Sequence, residues 1–388
     1  MLFLTAFHLL QFLVIPLQIH AGIETGSRTS KRSPISSFYK KNESLDIQVD
    51  RIVDMLSTRE MIAELIVTSC GKYGRDFDST SALIREGSAG GVLFLGATSK
   101  EIREYTKRLT EISALAAPLL PLFAIDGEPL LLHERITDLP GIPVAGTNQT
   151  PEQAQELALY VTMVLRSLGI HINYAPVCDY SFNLEVIGNR SFGNDYERVS
   201  ALSGVFISTM QGENVAATAK HFPGHGTVEG DSHLRLLFID GDPSELPVFQ
   251  DAIDRNVISI MVGHIGVKNS LRYSTDGKPS SLSRIMVTQV LKGELGFEGI
   301  VVTDALNMQA VSSFEDPAFQ ALRAGCDMVL MPMDEKALID RVHYEMGIDD
   351  AFRRQIEESV RKIVRLKILL GLINEKELEK MARYDDIY

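Results

Sequence analysis

Past residue 60, short apolar runs recur along the chain, separated by segments of helical length. In order they read ELIVTS (64–69), GGVLFLG (90–96), PLFAID (121–126), HINYAPVCD (171–179), NVAATAKH (214–221), VISIMVGHI (257–265), GIVVTDA (299–305) and CDMVLMP (326–332). They are rich in Val, Ile, Leu and Ala and lack the strict alternation of a half-exposed strand. Strands buried on both faces of a parallel sheet have this character.

The intervening segments carry the helical period. SKEIREYTKRLTEISALA opens on a Ser cap, with Ile102, Tyr105, Leu109 and Ile112 at helical spacing. TPEQAQELALYVTMVLRSLG offers Thr150 as cap, Pro151 at the first position and Gly169 as the stop. LSRIMVTQVLKGELGF and DPAFQALRAG fill two later gaps. Eight such repeats predict an α/β chain with a (β/α)8 TIM-type barrel over roughly 60–345, followed by C-terminal helices such as AFRRQIEESVRKIVRLKILLG. The alternative is an open doubly wound sheet, but no G-x-G-x-x-G follows the first run.

Ahead of the repeats the pattern changes. Residues 1–21 are mostly apolar, which suits a signal peptide or an anchor, yet the basic residues Arg28, Lys31, Arg32, Lys40 and Lys41 follow the apolar run rather than precede it. Export, a membrane anchor and a mis-assigned start codon all fit; an exported or periplasmic location is favoured over a cytoplasmic one. Residues 22–48 are rich in Ser, Lys and Arg and read as a linker, which leaves 49–388 for a single barrel domain.

Composition narrows the function. Apolar residues make up 45% of the chain, as in a soluble globular protein, and the net charge of −13 argues against a nucleic-acid partner. Cys70, Cys178 and Cys326 sit far apart in apolar runs and point to buried free thiols rather than disulfides or zinc ligands.

In a barrel of this type the active site lies at the C-terminal ends of the strands. Here those ends carry Asp126, Asp179, Lys220 with His221, His264 and Asp304. Polar groups where strands meet water explain one or two of these, but explain a Lys-His pair and several acids on one rim less well. Asp304 follows a β-type run, and a nucleophile, a metal ligand or a helix cap all suit it. After the fifth run comes KHFPGHGTVEGDSH, residues 220–233, in which Asp231 stands two residues before His233. A carboxylate that holds an imidazole supports its protonated form and makes it a proton carrier near neutral pH. Gly224, Gly226 and Gly230 suggest a loop that needs special backbone angles and mobility. A buried Lys220 implies a polar ligand or a nearby acid. Arg190, in IGNRSFGNDYERV, has a guanidinium that can fork to two oxygens of a sugar diol or a carboxylate. Zinc held by His221, His225 and His233 is the weaker reading, because no helical H-E-x-x-H is present.

KHFPGHGTVEGDSH closely resembles the signature of family 3 glycoside hydrolases of the β-N-acetylglucosaminidase (NagZ) type. HINYAPVCDY, VIGNRSFGND, LSRIMVTQVLKGELGFEGIVVTDALNM and AGCDMVLMP agree in order, so the resemblance covers about residues 50–345. It implies a retaining hydrolase in which Asp304 is the nucleophile and His233, paired with Asp231, the acid/base. It further implies that Asp126, Arg190, Lys220 and His221 bind a terminal N-acetylglucosamine, with no metal or organic cofactor needed. The family usually has Asp-Gln-Glu-Gly-Gly after the third strand and an Arg a few residues on. This chain has DGEPLLLHER, which keeps Asp126 and Glu128, replaces the glycine pair by Pro129-Leu130 and leaves Arg135 as the nearest Arg.

The expected activity is therefore exo-β-N-acetylglucosaminidase acting on peptidoglycan-derived muropeptides or disaccharides. The partner is a small carbohydrate, a monomer is expected, and the N-terminal segment is the candidate for membrane contact. A glycoside phosphorylase and a non-catalytic sugar-binding cell-wall protein are the alternatives. The first is motivated by the uncharged acid/base, the second by the altered third-strand loop.

Overall fold

The computed structural model describes residues 35–115, 117–231 and 235–373. The segment expected to be a signal peptide or anchor, and residues 22–34 of the expected linker, lie outside the described residues. From Ile35 on the chain is packed: Ile35 and Phe38 are buried, and a helix runs over Glu43–Met55.

The described residues contain β1 (Ile66–Cys70), β2 (Gly91–Phe94), β3 (Leu122–Ile125), β4 (Ile172–Asn173), β5 (Ala216–Phe222), β6 (Leu237–Asp240), β7 (Ser259–Val262), β8 (Ile265–Lys268), β9 (Ile300–Ala305) and β10 (Met328–Leu330). β1, β2, β3, β4, β5, β7, β9 and β10 close into a barrel in chain order, every pairing parallel. Each of the eight apolar runs supplies one of them. Barrel strands face side chains inside and helices outside, so both faces are buried and the runs need no alternation. β9 shows where this ends: Ile300–Thr303 are buried, whereas Asp304 and Ala305 are half-buried at the mouth.

Two details differ from the sequence reading. β4 stops early, because Pro176 has no N–H to give to a ladder. The chain beyond still runs beside β5, with the Cys178 N–H donating to the Lys220 carbonyl at 2.6 Å. The run at 257–265 holds two strands: β7 ends at Val262, and β8 then leaves the barrel to pair in parallel with β6, Leu237 opposite Ile265.

The helices begin where their caps allow. Thr98, not Ser99, caps Ser99–Ser113, in a reciprocal box with Glu101. Thr150 caps Pro151–Ser167 in the same way with Gln153. Gly325 and Gly371 end Pro317–Ala324 and Asp350–Leu370 in the left-handed region, at φ 110° and 74°. Ile285–Glu294 is a wider, π-type helix. The three cysteines are buried and free. Among the described residues, no helix is long and apolar enough to cross a membrane.

Asp327, just before β10, staples the barrel at the end away from the mouth. It accepts from Lys292 Nζ at 2.8 Å, Lys362 Nζ at 3.3 Å, Ser359 Oγ at 2.7 Å and the Val301 N–H at 2.8 Å, joining β9, the π-type helix and the C-terminal helix. Burial alone would raise its carboxyl; the two ammonium groups and the Val301 N–H outweigh this and hold it at about 2. A depressed carboxylate stabilises the fold above its unfolded value of about 3.9, and that contribution is lost as pH falls through the folded value. Asp327→Asn is expected to lower the unfolding free energy by about 3 kcal/mol near neutral pH, because it leaves two half-buried cations without their buried anion. Urea denaturation should show the gap from wild type shrinking as pH drops below about 4.

Candidate active site

A cavity of about 520 Å³ opens at the C-terminal ends of the strands, lined among others by Asp126, Arg190, Lys220, His221, Asp231 and Asp304. Asp126 follows β3, Lys220 and His221 lie in β5, and Asp304 is the last residue but one of β9. The parallel register places all of them at one rim. Arg190 comes from a short turn, Gly188–Arg190, in the long connection after β4.

Glu128, kept within the altered loop but given no role by the sequence reading, is the hub. It is fully buried. Its oxygens accept Arg190 Nη2 at 2.7 Å and Nε at 2.8 Å, a two-point fork, and Lys220 Nζ lies 2.6 Å from Oε1. Lys220 also pairs with Asp126, whose other oxygen takes Arg135 Nη2 at 3.0 Å. Arg135 reaches this point because Leu132–Arg135 forms a helical turn whose last carbonyl accepts the Ala97 N–H at 3.2 Å. The replaced glycine pair thus still delivers a guanidinium to Asp126. Burial favours the neutral form of Glu128, but Arg190 and Lys220 outweigh it and hold the carboxyl well below the usual range. Burial would likewise lower Lys220; Asp126 and Glu128 reverse that and its ammonium is held.

His221 is fixed from behind. Its Nδ1 lies 2.6 Å from Asp179 Oδ2, and its backbone N–H also donates to that carboxylate. Its Nε2 is left on the side of Arg190, 3.5 Å from Nη2. The sequence showed Asp179 only as a polar strand end. The His225 N–H donates to the same carboxylate at 2.8 Å.

Asp304 accepts the Ala305 N–H at 2.8 Å. Burial pushes its carboxyl up, but His221, His264, that N–H and Lys220 outweigh it, and the net direction is down. His264 is buried, with Nε2 3.0 Å from the Ala305 carbonyl and Nδ1 2.7 Å from Ser281 Oγ. It therefore fixes the peptide next to Asp304. Among the described residues, no group of three or more His, Cys, Asp or Glu side chains is placed to hold a metal.

The glycine-rich loop is packed as well as turned. Gly224 and Gly230 have φ of 122° and 100°. Gly226 is required by contact: a Cβ there would lie 1.5 Å from the Tyr180 carbonyl oxygen. Glu245, buried and signalled by no local motif, lies beneath the loop and accepts the N–H groups of Tyr180 and Gly226. Burial, reinforced by Asp179, pushes its carboxyl well up. Asp231 lies on the cavity wall; Ser232, His233 and Leu234 are outside the described residues.

The glycosyl hydrolase family 3 N-terminal domain matches residues 57–366. The chain belongs to that family. It is 30% identical to a β-hexosaminidase of Nitrosospira multiformis over 284 residues, 68% of this chain and 80% of that one. It is 33% identical to another from Thioalkalivibrio sulfidiphilus over 266 residues, 64% and 75% of the two chains. Among solved structures it is similar to a family 3 β-N-acetylglucosaminidase from Paenibacillus sp. str. FPU-7, with 30% identity and a TM-score of 0.72. That match covers 82% of this chain but only 63% of the longer enzyme. A β-N-acetylhexosaminidase from Beutenbergia cavernae matches over 80% of this chain and 98% of its own, at 25% identity and a TM-score of 0.72. The family 3 chain described here is a glycoside hydrolase of the β-N-acetylhexosaminidase type.

Gly226→Ala is expected to displace the loop from Tyr180. Hydrolysis of an aryl N-acetyl-β-glucosaminide should fall about 100-fold, the scale of a misplacement of roughly 1 Å in a catalytic site. The far-ultraviolet circular dichroism of the barrel should persist.

Proposed function

We propose that the chain is a retaining exo-β-N-acetylglucosaminidase that removes terminal N-acetylglucosamine from muropeptide-derived disaccharides in peptidoglycan turnover. The observation that carries this reading is that Asp304 and Asp231, far apart in sequence and on different elements, line one cavity with the buried cation–carboxylate cluster between the strand ends. Asp126, Arg135, Arg190, Lys220 and His221 hold hydroxyls of the terminal sugar. Three cations, Arg135, Arg190 and Lys220, face two carboxylates, Asp126 and Glu128, while His221, His264, the Ala305 N–H and Lys220 favour the ionised form of Asp304.

In the first step an Asp304 oxygen attacks the anomeric carbon while the glycosidic bond breaks. Protonated His233, supported by Asp231, gives its proton to the departing oxygen. A glycosyl ester on Asp304 results. In the second step neutral His233 takes a proton from water as the water oxygen attacks the same carbon, and the ester bond breaks. Two displacements retain the configuration. An imidazole takes the place of the usual second carboxylate, and its titration near neutral pH suits both proton transfers.

Asp304→Ala should abolish turnover of p-nitrophenyl N-acetyl-β-glucosaminide with the melting temperature little changed. His233→Ala should slow substrates with poor leaving groups by about 100-fold or more, and activated ones far less. Equal slowing would remove His233 from the acid/base role. Sugar 1-phosphate released only when phosphate is added would make the enzyme a phosphorylase, and binding without turnover would make the chain a sugar-binding protein.

A further inference from the structure

The cavity that holds Asp304 meets a second one of about 250 Å³; the two share Tyr73, Asn307 and Met331. Tyr73 stands on the turn after β1; the residue is 55% exposed, and Lys72 Nζ lies over its ring, 5.0 Å from the centroid. The turn beneath it is rigid. The Gly71 N–H donates to the Arg75 carbonyl at 2.9 Å, the Lys72 N–H to Gly96 at 3.0 Å and the Tyr73 N–H to Leu95 at 3.0 Å. Gly96, at φ 76°, seats the ring: a Cβ there would lie 2.7 Å and 2.8 Å from Cδ2 and Cε2 of Tyr73.

The rest of the second cavity is mixed in character. Arg75 is held by Glu335, at 2.7 Å through Nη2 and 3.2 Å through Nε, and Glu335 also accepts Thr68 Oγ1 at 2.7 Å. Met333, 74% exposed, adds an apolar wall. Met331, on the shared wall, sits in the left-handed region at φ 53°, a conformation that costs a non-glycine residue free energy. A pyranose ring has the matching character: a face of C–H bonds with partial positive charge, suited to the electron-rich face of an aromatic ring, and a rim of hydroxyls. A ring already held in place loses little freedom on binding, so the contact contributes to affinity at low entropic cost.

We infer that the second cavity receives the leaving-group sugar, and that Tyr73 selects a pyranose aglycone by stacking against it. This rests on the glycosidase reading of the neighbouring cavity. The test compares kcat/KM for N,N′-diacetylchitobiose, whose leaving group is a sugar, with that for N-acetyl-β-glucosaminyl fluoride, whose leaving group is a single atom. Tyr73→Ala should lower the ratio of disaccharide to fluoride about tenfold, and Tyr73→Phe should restore it, because the ring is what stacks. An equal loss on both substrates, or an unchanged ratio, would overturn the assignment. So would a wild-type enzyme that cleaves the fluoride but not the disaccharide, and the glycosidase reading would then stand. A wild-type enzyme that cleaves neither would overturn both.

Discussion

The site depends on a cluster of charge taken out of water. Glu128 and Lys220 are almost wholly buried, and Arg190 nearly so. Each ion would be costly in that position alone, and removing one partner would strand the others. The cluster is tolerable because its charges are paired: a two-point fork from Arg190, an ammonium shared between Asp126 and Glu128, and a second guanidinium on the outer oxygen of Asp126. Such mutual pairing fixes side chains from three separate parts of the chain with little freedom to rearrange, which is what pre-organised recognition of a hydroxyl-rich ligand requires.

The barrel makes this cluster possible and then protects it. Parallel strands of similar register end at one level, so Asp126, Lys220 and Asp304 converge though far apart in sequence, and Arg190 joins them from the long connection after β4. Two imidazoles play unlike parts behind the surface. His264 is buried and neutral in direction, and fixes the peptide after Asp304. His221 is braced by Asp179. Beneath the glycine-rich segment, Glu245 accepts the Gly226 N–H and the Tyr180 N–H of the connection after β4, tying the two together. Close backbone approach at Gly226 and left-handed geometry at Gly224 and Gly230 are separate demands, and glycine meets both.

The barrel was legible because burial on both faces leaves a plain mark: runs rich in Val, Ile, Leu and Ala, separated by segments of helical length. The pair formed by β6 and β8 was not, because β8 follows β7 after only Gly263 and His264 and prolongs the same apolar run. At the site, Asp126, Arg190, Lys220, His221 and Asp304 could be picked out as polar residues at strand ends or within a recognisable stretch. The supporting residues could not be given roles, since their meaning lies in partners far along the chain. Glu128 meets Arg190 across 62 positions, Asp179 meets His221 across 42, and Glu245 meets the Tyr180 N–H across 65. No local pattern encodes such a pairing. The change to Pro129-Leu130 motivated the non-catalytic alternative, yet the helical turn that follows brings Arg135 to Asp126.

The central claim is that Asp304 becomes covalently bonded to the sugar during turnover. Incubation with a fluorinated N-acetylglucosaminyl donor that forms the glycosyl ester quickly and loses it slowly, followed by proteolysis and mass spectrometry of the peptides, tests it most directly. The mass of one sugar on the peptide bearing Asp304, lost when hydrolysis is allowed to finish, is the predicted result. A label on another residue, or a donor consumed with no labelled peptide at any time, would contradict the account.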